Sequence, residues 1–227
     1  MRRASRLTVS LILLAAVSAC GSDGSGPGEK PRSFLMGFSA IPPTPDTTLL
    51  LQTLALSTQH SDAGLIQLSI PWSDLLSGIP ADSEVRVVRL PLVNYYRGNG
   101  HKIVVALDVT NGLDRSAEDP QLVTAGRSIT DTMIQRLYRE YVVAVDSILD
   151  PTYLSLAAET NLIRALALPA VYQAVVTMVN AAAVERAAAG SQTPLIVSVQ
   201  VETAWGALQG GIGFQGIAQD RTDFPFI

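Results

Sequence analysis

Residues 153–162 read YLSLAAETNL, a run suited to burial that ends on Glu159, Thr160 and Asn161. A carboxylate at the tip of an apolar strand loses hydration unless it is paired or opens into a polar cleft, so this one is placed for chemistry. Within the run, Leu154, Leu156 and Ala158 fall on one side of an extended chain, and Ser155, Ala157 and Glu159 on the other. One face is greasy, and the other is small or polar.

The same pattern recurs on either side. Strands are predicted at FLMGFSA from Phe34, LIQLSIPW from Leu65, KIVVALDV from Lys102, YLSLAAE from Tyr153 and PLIVSVQVE from Pro194. In the last, Val197, Val199 and Val201 oppose Ser198, Gln200 and Glu202, and in the second, Ile66, Leu68 and Ile70 oppose Gln67 and Ser69. Helical segments alternate with them. Asp46 is a cap for a helix carrying Leu50, Leu51 and Leu54, and the glycines at 98 and 100 close a second helical region that Pro91 divides in two. Ser128 and Asp131 open a third, with Ile129, Met133, Leu137, Tyr141, Val145 and Ile148 along one face. A fourth starts near Pro169, turns Val171, Val175, Met178, Val179 and Ala182 inward, and ends at Gly190.

Strands alternating with helices indicate a parallel α/β architecture. A doubly wound sheet buries both strand faces under helices and has little use for Gln67, Gln200 and Glu202. No GxGxxG or P-loop follows the first strand. A (β/α)8 TIM barrel accounts for the alternation, because its greasy strand face meets the outer helices and its polar face lines the lumen and the mouth at the strand C-termini. About five β/α units are present in 227 residues, and the chain stops on an apolar run at Ile227, so the expectation is an incomplete barrel.

The N-terminus carries Arg2, Arg3 and Arg6 ahead of an apolar segment from Leu7 to Ala19 that is too short to span a bilayer, the pattern of a secretion signal. Val17-Ser18-Ala19-Cys20 resembles the lipobox of bacterial lipoproteins, which implies cleavage before Cys20 and lipid on its thiol. Residues 21–33 are rich in Gly, Ser and Pro and read as a flexible tether. The expected organisation is thus a signal at 1–19, a lipidated cysteine and tether at 20–33, and a folded unit at 34–227, held in the bacterial cell envelope by a lipid anchor in the membrane. Cys20 is the only cysteine, so no disulfide supports the fold, and 48% hydrophobic residues leave that work to the core.

A net charge of −4, with no basic run past the signal, excludes the electrostatic footprint of a nucleic-acid partner. His60 and His101 stand far apart and outside any metal-ligand spacing, so neither a metal nor another cofactor is expected.

YLSLAAETN resembles the fourth-strand motif of clan A glycoside hydrolases, most nearly the endo-β-1,4-galactanase-like members, in which the strand ends in Asn-Glu. The resemblance implies that Glu159 is the general acid/base of a retaining hydrolysis on polysaccharide or oligosaccharide. It extends loosely over residues 34–227, through a second strand ending in Pro71-Trp72, a third ending in Asp108 and a fifth ending in Glu202 and Trp205. Ala158 stands where the pattern has a sugar-binding asparagine, with Asn161 as a nearby substitute. The nucleophile belongs to a seventh strand, so hydrolysis is expected of a full-length protein and not of this chain.

The candidate sugar-binding residues are Trp72, Asp108, Asn161, Glu202 and Trp205, with Asn111 and Asp114 in the loop after Asp108. Either tryptophan can stack on a sugar or pack beneath a loop. Glu202 can contact substrate or pair with a loop arginine, and Asn111 and Asp114 can instead build turns. A noncatalytic carbohydrate-binding lipoprotein on a degenerate barrel is the alternative function, and a periplasmic solute-binding domain the third.

Overall fold

The computed structural model describes residues 33–39, 41, 44, 46–207 and 215–227, and the folded unit is Leu35–Ile227. Cys20, the signal and the tether lie outside the described residues. Five parallel strands form one sheet: β1 (Gly37–Ser39), β2 (Ala63–Ser69), β3 (Lys102–Asp108), β4 (Tyr153–Ser155) and β5 (Leu195–Ile196). Their spatial order is their order in the chain.

That order has a geometric consequence. Right-handed crossovers between successive neighbouring strands put every connection on the same face of the sheet. On that face Ile66 and Leu68 of β2, Ile103, Val105 and Leu107 of β3, and Leu154 of β4 are buried. On the opposite face Gln67 and Ser69 are exposed and Leu65 and Val104 half-buried. The register aligns Leu65 with Val104, Gln67 with Ala106, Ser69 with Asp108 and Ala106 with Ser155, so these side chains share the barer face. The greasy and polar faces expected from alternation are present in β2 through β4.

The helices between the strands are α1 (Thr47–His60), α2 (Trp72–Leu76), α3 (Ala81–Glu84), α4 (Leu90–Gly98), α5 (Pro120–Thr124), α6 (Thr132–Leu149), α7 (Thr160–Leu166) and α8 (Pro169–Ala188), and α9 (Val201–Ala204) and α10 (Gln215–Asp223) follow β5. Asp46 caps α1 as its sequence suggested, with its carboxylate accepting from the Leu49 N–H at 2.8 Å. Helix α8 starts on Pro169 and buries Val171, Val175, Met178, Val179 and Ala182. In α6 the buried stripe is Ile134, Tyr138, Tyr141, Val142, Val145 and Leu149. Met133, Leu137 and Ile148 only flank it, so the deepest line lies about one residue later than the predicted one.

Pro91 does not split its region into two separate helices. It lacks the N–H that an α-turn would send back to Val87, and the chain accommodates this with a π-helical turn over Val85–Arg89 leading directly into α4. A π-turn brings residues five apart to one side. Glu84, buried, thereby meets the Arg89 Nε at 2.9 Å.

The ends of the sheet depart further from expectation. Regular β4 pairing stops at Ser155, although ladder-like bonds continue: Leu156 donates to the Ile196 carbonyl at 3.2 Å, Ala158 to Leu107 at 2.9 Å and Thr160 to Ser198 at 3.1 Å. The predicted nine-residue fifth strand is only Leu195–Ile196, because the Gln200 side chain accepts from the Thr203 N–H at 2.6 Å and caps α9. Glu202 therefore lies on a helix and not on a strand.

Candidate functional site

Beyond Asp108 the chain turns at Asn111 and Asp114. The Leu113 N–H donates to Asn111 Oδ1 at 2.9 Å, and the Ser116 N–H and hydroxyl donate to Asp114 Oδ1 at 3.0 and 2.6 Å. The Ser116 hydroxyl, aided by its N–H, holds the Asp114 carboxyl below its ordinary value. Both residues do the work of turns. The fold-back carries Gly112 against Asp108, where a β-carbon would stand 2.9 Å from Oδ2. It also returns Arg115 to the strand end.

Arg115 is the centre of the site. Its Nη1 donates to Asp108 Oδ1, its Nη2 to Asp108 Oδ2 at 3.2 Å, and its Nε to Glu159 Oε2 at 2.9 Å. Thr110 Oγ1 accepts from Nη1 at 3.3 Å, and the Gln67 amide donates to Asp108 Oδ2 at 3.2 Å. Burial alone lowers the basicity of Arg115, but the hydrogen bonds and charges of Asp108 and Glu159 outweigh it and raise its pKa. Asp119, the N-cap of α5, lies within the field of Asp108. Burial pushes its carboxyl up, the Gln121 N–H opposes this, and the Asp108 charge adds to the rise.

Glu159, predicted to end the fourth strand, joins this cluster from the N-cap position of α7, four residues past the end of β4. Its backbone is left-handed, φ 51° and ψ 45°, a conformation shared only with Asp150 among the described non-glycine residues. Such a conformation costs roughly 1–2 kcal/mol for a residue with a side chain, and it persists because neighbours fix it. The Glu159 N–H donates to Ser198 Oγ at 3.0 Å. Asn161 clasps the Gln200 backbone with both ends of its amide, donating to the carbonyl at 2.9 Å and accepting from the N–H at 2.8 Å. The tips of β4 and the segment after β5 are thus stapled together.

The Glu159 side chain stays 36% exposed and, with Gln67, Ala106, Ser155 and Ser198, lines a concavity of about 180 Å³ on the barer face of the sheet. Beneath it, the Tyr138 hydroxyl donates to the Leu156 carbonyl at 2.6 Å, both groups buried, and burial drives the phenol pKa upward. Tyr138→Phe should lower unfolding free energy by roughly 1–2 kcal/mol, since it strands a buried acceptor. Urea unfolding with an unchanged midpoint would show that this bond does not support the strand tip.

The sequence candidates separate accordingly. Glu159 and Asp108 come together through Arg115, whereas Asn161 is buried with its amide occupied. Glu202 is exposed and accepts from the Gln200 side-chain amide, not from a loop arginine. Trp205 is 67% exposed just past α9. Trp72 is fully buried, so the alternative of packing beneath neighbouring elements describes it and a sugar-stacking role does not. Arg115 went unrecognised in the sequence. Its one signal is the Asn-Gly turn three residues before it, which points the loop back at Asp108.

Among the described residues no group of three or more His, Cys, Asp or Glu side chains could hold a metal, and no helix is long and apolar enough to cross a membrane. His101 sits between α4 and β3 with Nδ1 3.1 Å from the Asn99 carbonyl, and His60 in the last turn of α1. Compared with protein-family models and with curated proteins, the chain matches none.

Proposed function

We propose that this chain is a glycoside hydrolase-like lipoprotein whose sheet is part of a (β/α)8 barrel, with Glu159 the acid/base of a retaining hydrolysis of polysaccharide or oligosaccharide by the full-length protein. The observation that carries the reading is Glu159 itself: a strained, partly exposed carboxylate just past the C-terminal end of β4, at a concavity where Gln67, Ser155 and Ser198 stand among the apolar Leu65, Val104, Ile196 and Val199. The sequential, all-parallel strand order supports the barrel, since it leaves one sheet face without crossovers. Sugar hydroxyls suit Gln67, Ser155 and Ser198, and the exposed indole of Trp205 suits a sugar ring. Retaining hydrolysis needs a second carboxylate about 5–5.5 Å from the first, which the resemblance assigns to a seventh strand. Cys20 carries the lipid anchor in this proposal, and mass spectrometry of membrane-extracted protein tests it by the mass of the N-terminal cysteine.

The second reading, a noncatalytic carbohydrate-binding protein, is favoured by a separate observation. Arg115 donates directly to Glu159 and so commits one of its oxygens to the protein, and Ala158 stands where the resembled pattern has a sugar-binding asparagine. On the full-length protein, a panel of β-1,4-galactan oligosaccharides and related glycans separates the two by calorimetry and reducing-end release. Hydrolysis that stops in Glu159→Gln supports the enzyme, and saturable binding without products supports the binding protein. A panel with neither binding nor products overturns both.

A further inference from the structure

We infer that Arg115 is a positioning residue for Glu159, and that Asp108 serves this arginine and not the sugar. The inference rests on the proposed function for its biological meaning, but its geometry is independent of any ligand. The Arg115 side chain is only 3% exposed, and that of Asp108 5%. Neither offers a surface on which a sugar could rest.

The guanidinium is planar, so two bonds to one carboxylate fix the direction of the remaining Nε–H. Asp108 supplies those two bonds, Gln67 holds Asp108 Oδ2 from β2, and Gly112 lets the loop close over the same oxygen. The Nε–H then meets Glu159 Oε2 at 2.9 Å. One glutamate oxygen is thereby committed to the protein, while Oε1 is left for a ligand hydroxyl at the concavity. Ser198 fixes the same residue through its backbone N–H, so side chain and main chain are held from opposite strands. Residues from β2, from the end of β3 and from the segment after β5 thus converge on the aim of one carboxylate.

A lysine cannot reproduce this arrangement, because an ammonium has no rigid fork and cannot hold Asp108 twice while pointing at Glu159. Arg115→Lys is therefore an informative variant: it keeps the charge that neutralises Asp108 and removes the direction.

The ligand-free test follows the Arg115 Nε–H by nitrogen-15 NMR. In the wild type it should exchange with water at least tenfold more slowly than an exposed arginine, and Glu159→Ala, at a partly exposed position that leaves the fold intact, should speed that exchange at least tenfold. An exchange rate indifferent to Glu159→Ala overturns the inference, whether or not any glycan binds. The second arm titrates β-1,4-galacto-oligosaccharides by calorimetry. Arg115→Lys should weaken binding at least tenfold with a melting temperature within a few degrees of wild type, and unchanged affinity also overturns the inference. A wild type that binds no glycan counts against the proposed function alone, and the exchange measurement then decides the role of Arg115.

Discussion

Arg186→Met should unfold at a markedly lower urea concentration than the wild type, with a loss of roughly 3–5 kcal/mol, the range for breaking a buried ion pair by removing one partner. Arg186, near the end of α8, is buried, and so is Asp146 of α6, whose Oδ2 accepts from the Arg186 Nε at 2.8 Å. The same guanidinium donates to Ser191 Oγ at 2.8 Å and to the Thr193 carbonyl. It therefore fastens two helices together and fixes the segment that leads into β5. Methionine fills much of the volume but leaves the Asp146 charge alone in a poorly hydrated place. Adding Asp146→Leu should recover a large part of the loss, because exchanging a whole buried pair for apolar groups is far milder than orphaning one member. A wild-type midpoint for Arg186→Met would show that this pair does not fasten the helices.

Trp72→Ala should cost about as much, roughly 3–5 kcal/mol, the range for truncating a large buried aromatic side chain. Its indole is fully enclosed at the start of α2, in the same core as Ile70 and Leu75. The indole N–H has no hydrogen-bond partner among the described residues. Trp72→Phe should consequently be milder than its volume change suggests, since it also removes an unsatisfied donor. Differential scanning calorimetry on the pair, beside glycan titration of Trp72→Phe, distinguishes core from binding surface. A stable Trp72→Ala protein that has lost only glycan affinity would restore the stacking role.

Much of the sheet was legible because strand periodicity is local. Ile66 against Gln67, or Leu154 against Ser155, needs no knowledge of distant residues, and the structure keeps both contrasts in face. The carboxylate after β4 was legible as a break in an apolar run, although it caps α7 and does not end the strand. What failed depended on hydrogen-bond and packing partners that periodicity does not show. Asn161 looked like a sugar ligand because its clasp on Gln200 lies 39 residues away, and Glu202 looked like a strand residue because Gln200 also caps a helix. Trp72 follows a strand end in sequence, but only the packing of α2 decides whether such a residue faces outward. Arg115 was invisible since its meaning comes from two carboxylates on different elements, one ending β3 and the other capping α7.

The strand order also bears on how the polypeptide is made. Every pairing joins a strand to the one synthesised just before it, β1 with β2 through to β4 with β5, and none waits for a later segment to be inserted between existing partners. Closure of sequence-adjacent units carries a smaller loop entropy than closure of distant ones. A nascent chain can therefore grow its sheet from the N-terminal end as the ribosome delivers each strand and helix, using the previous strand as a template. The exception is the aim of Glu159, whose backbone N–H is held by the hydroxyl of Ser198, a residue translated after β5. The framework can assemble in the order of translation, while the carboxylate at its centre gains its full set of restraints only late in synthesis.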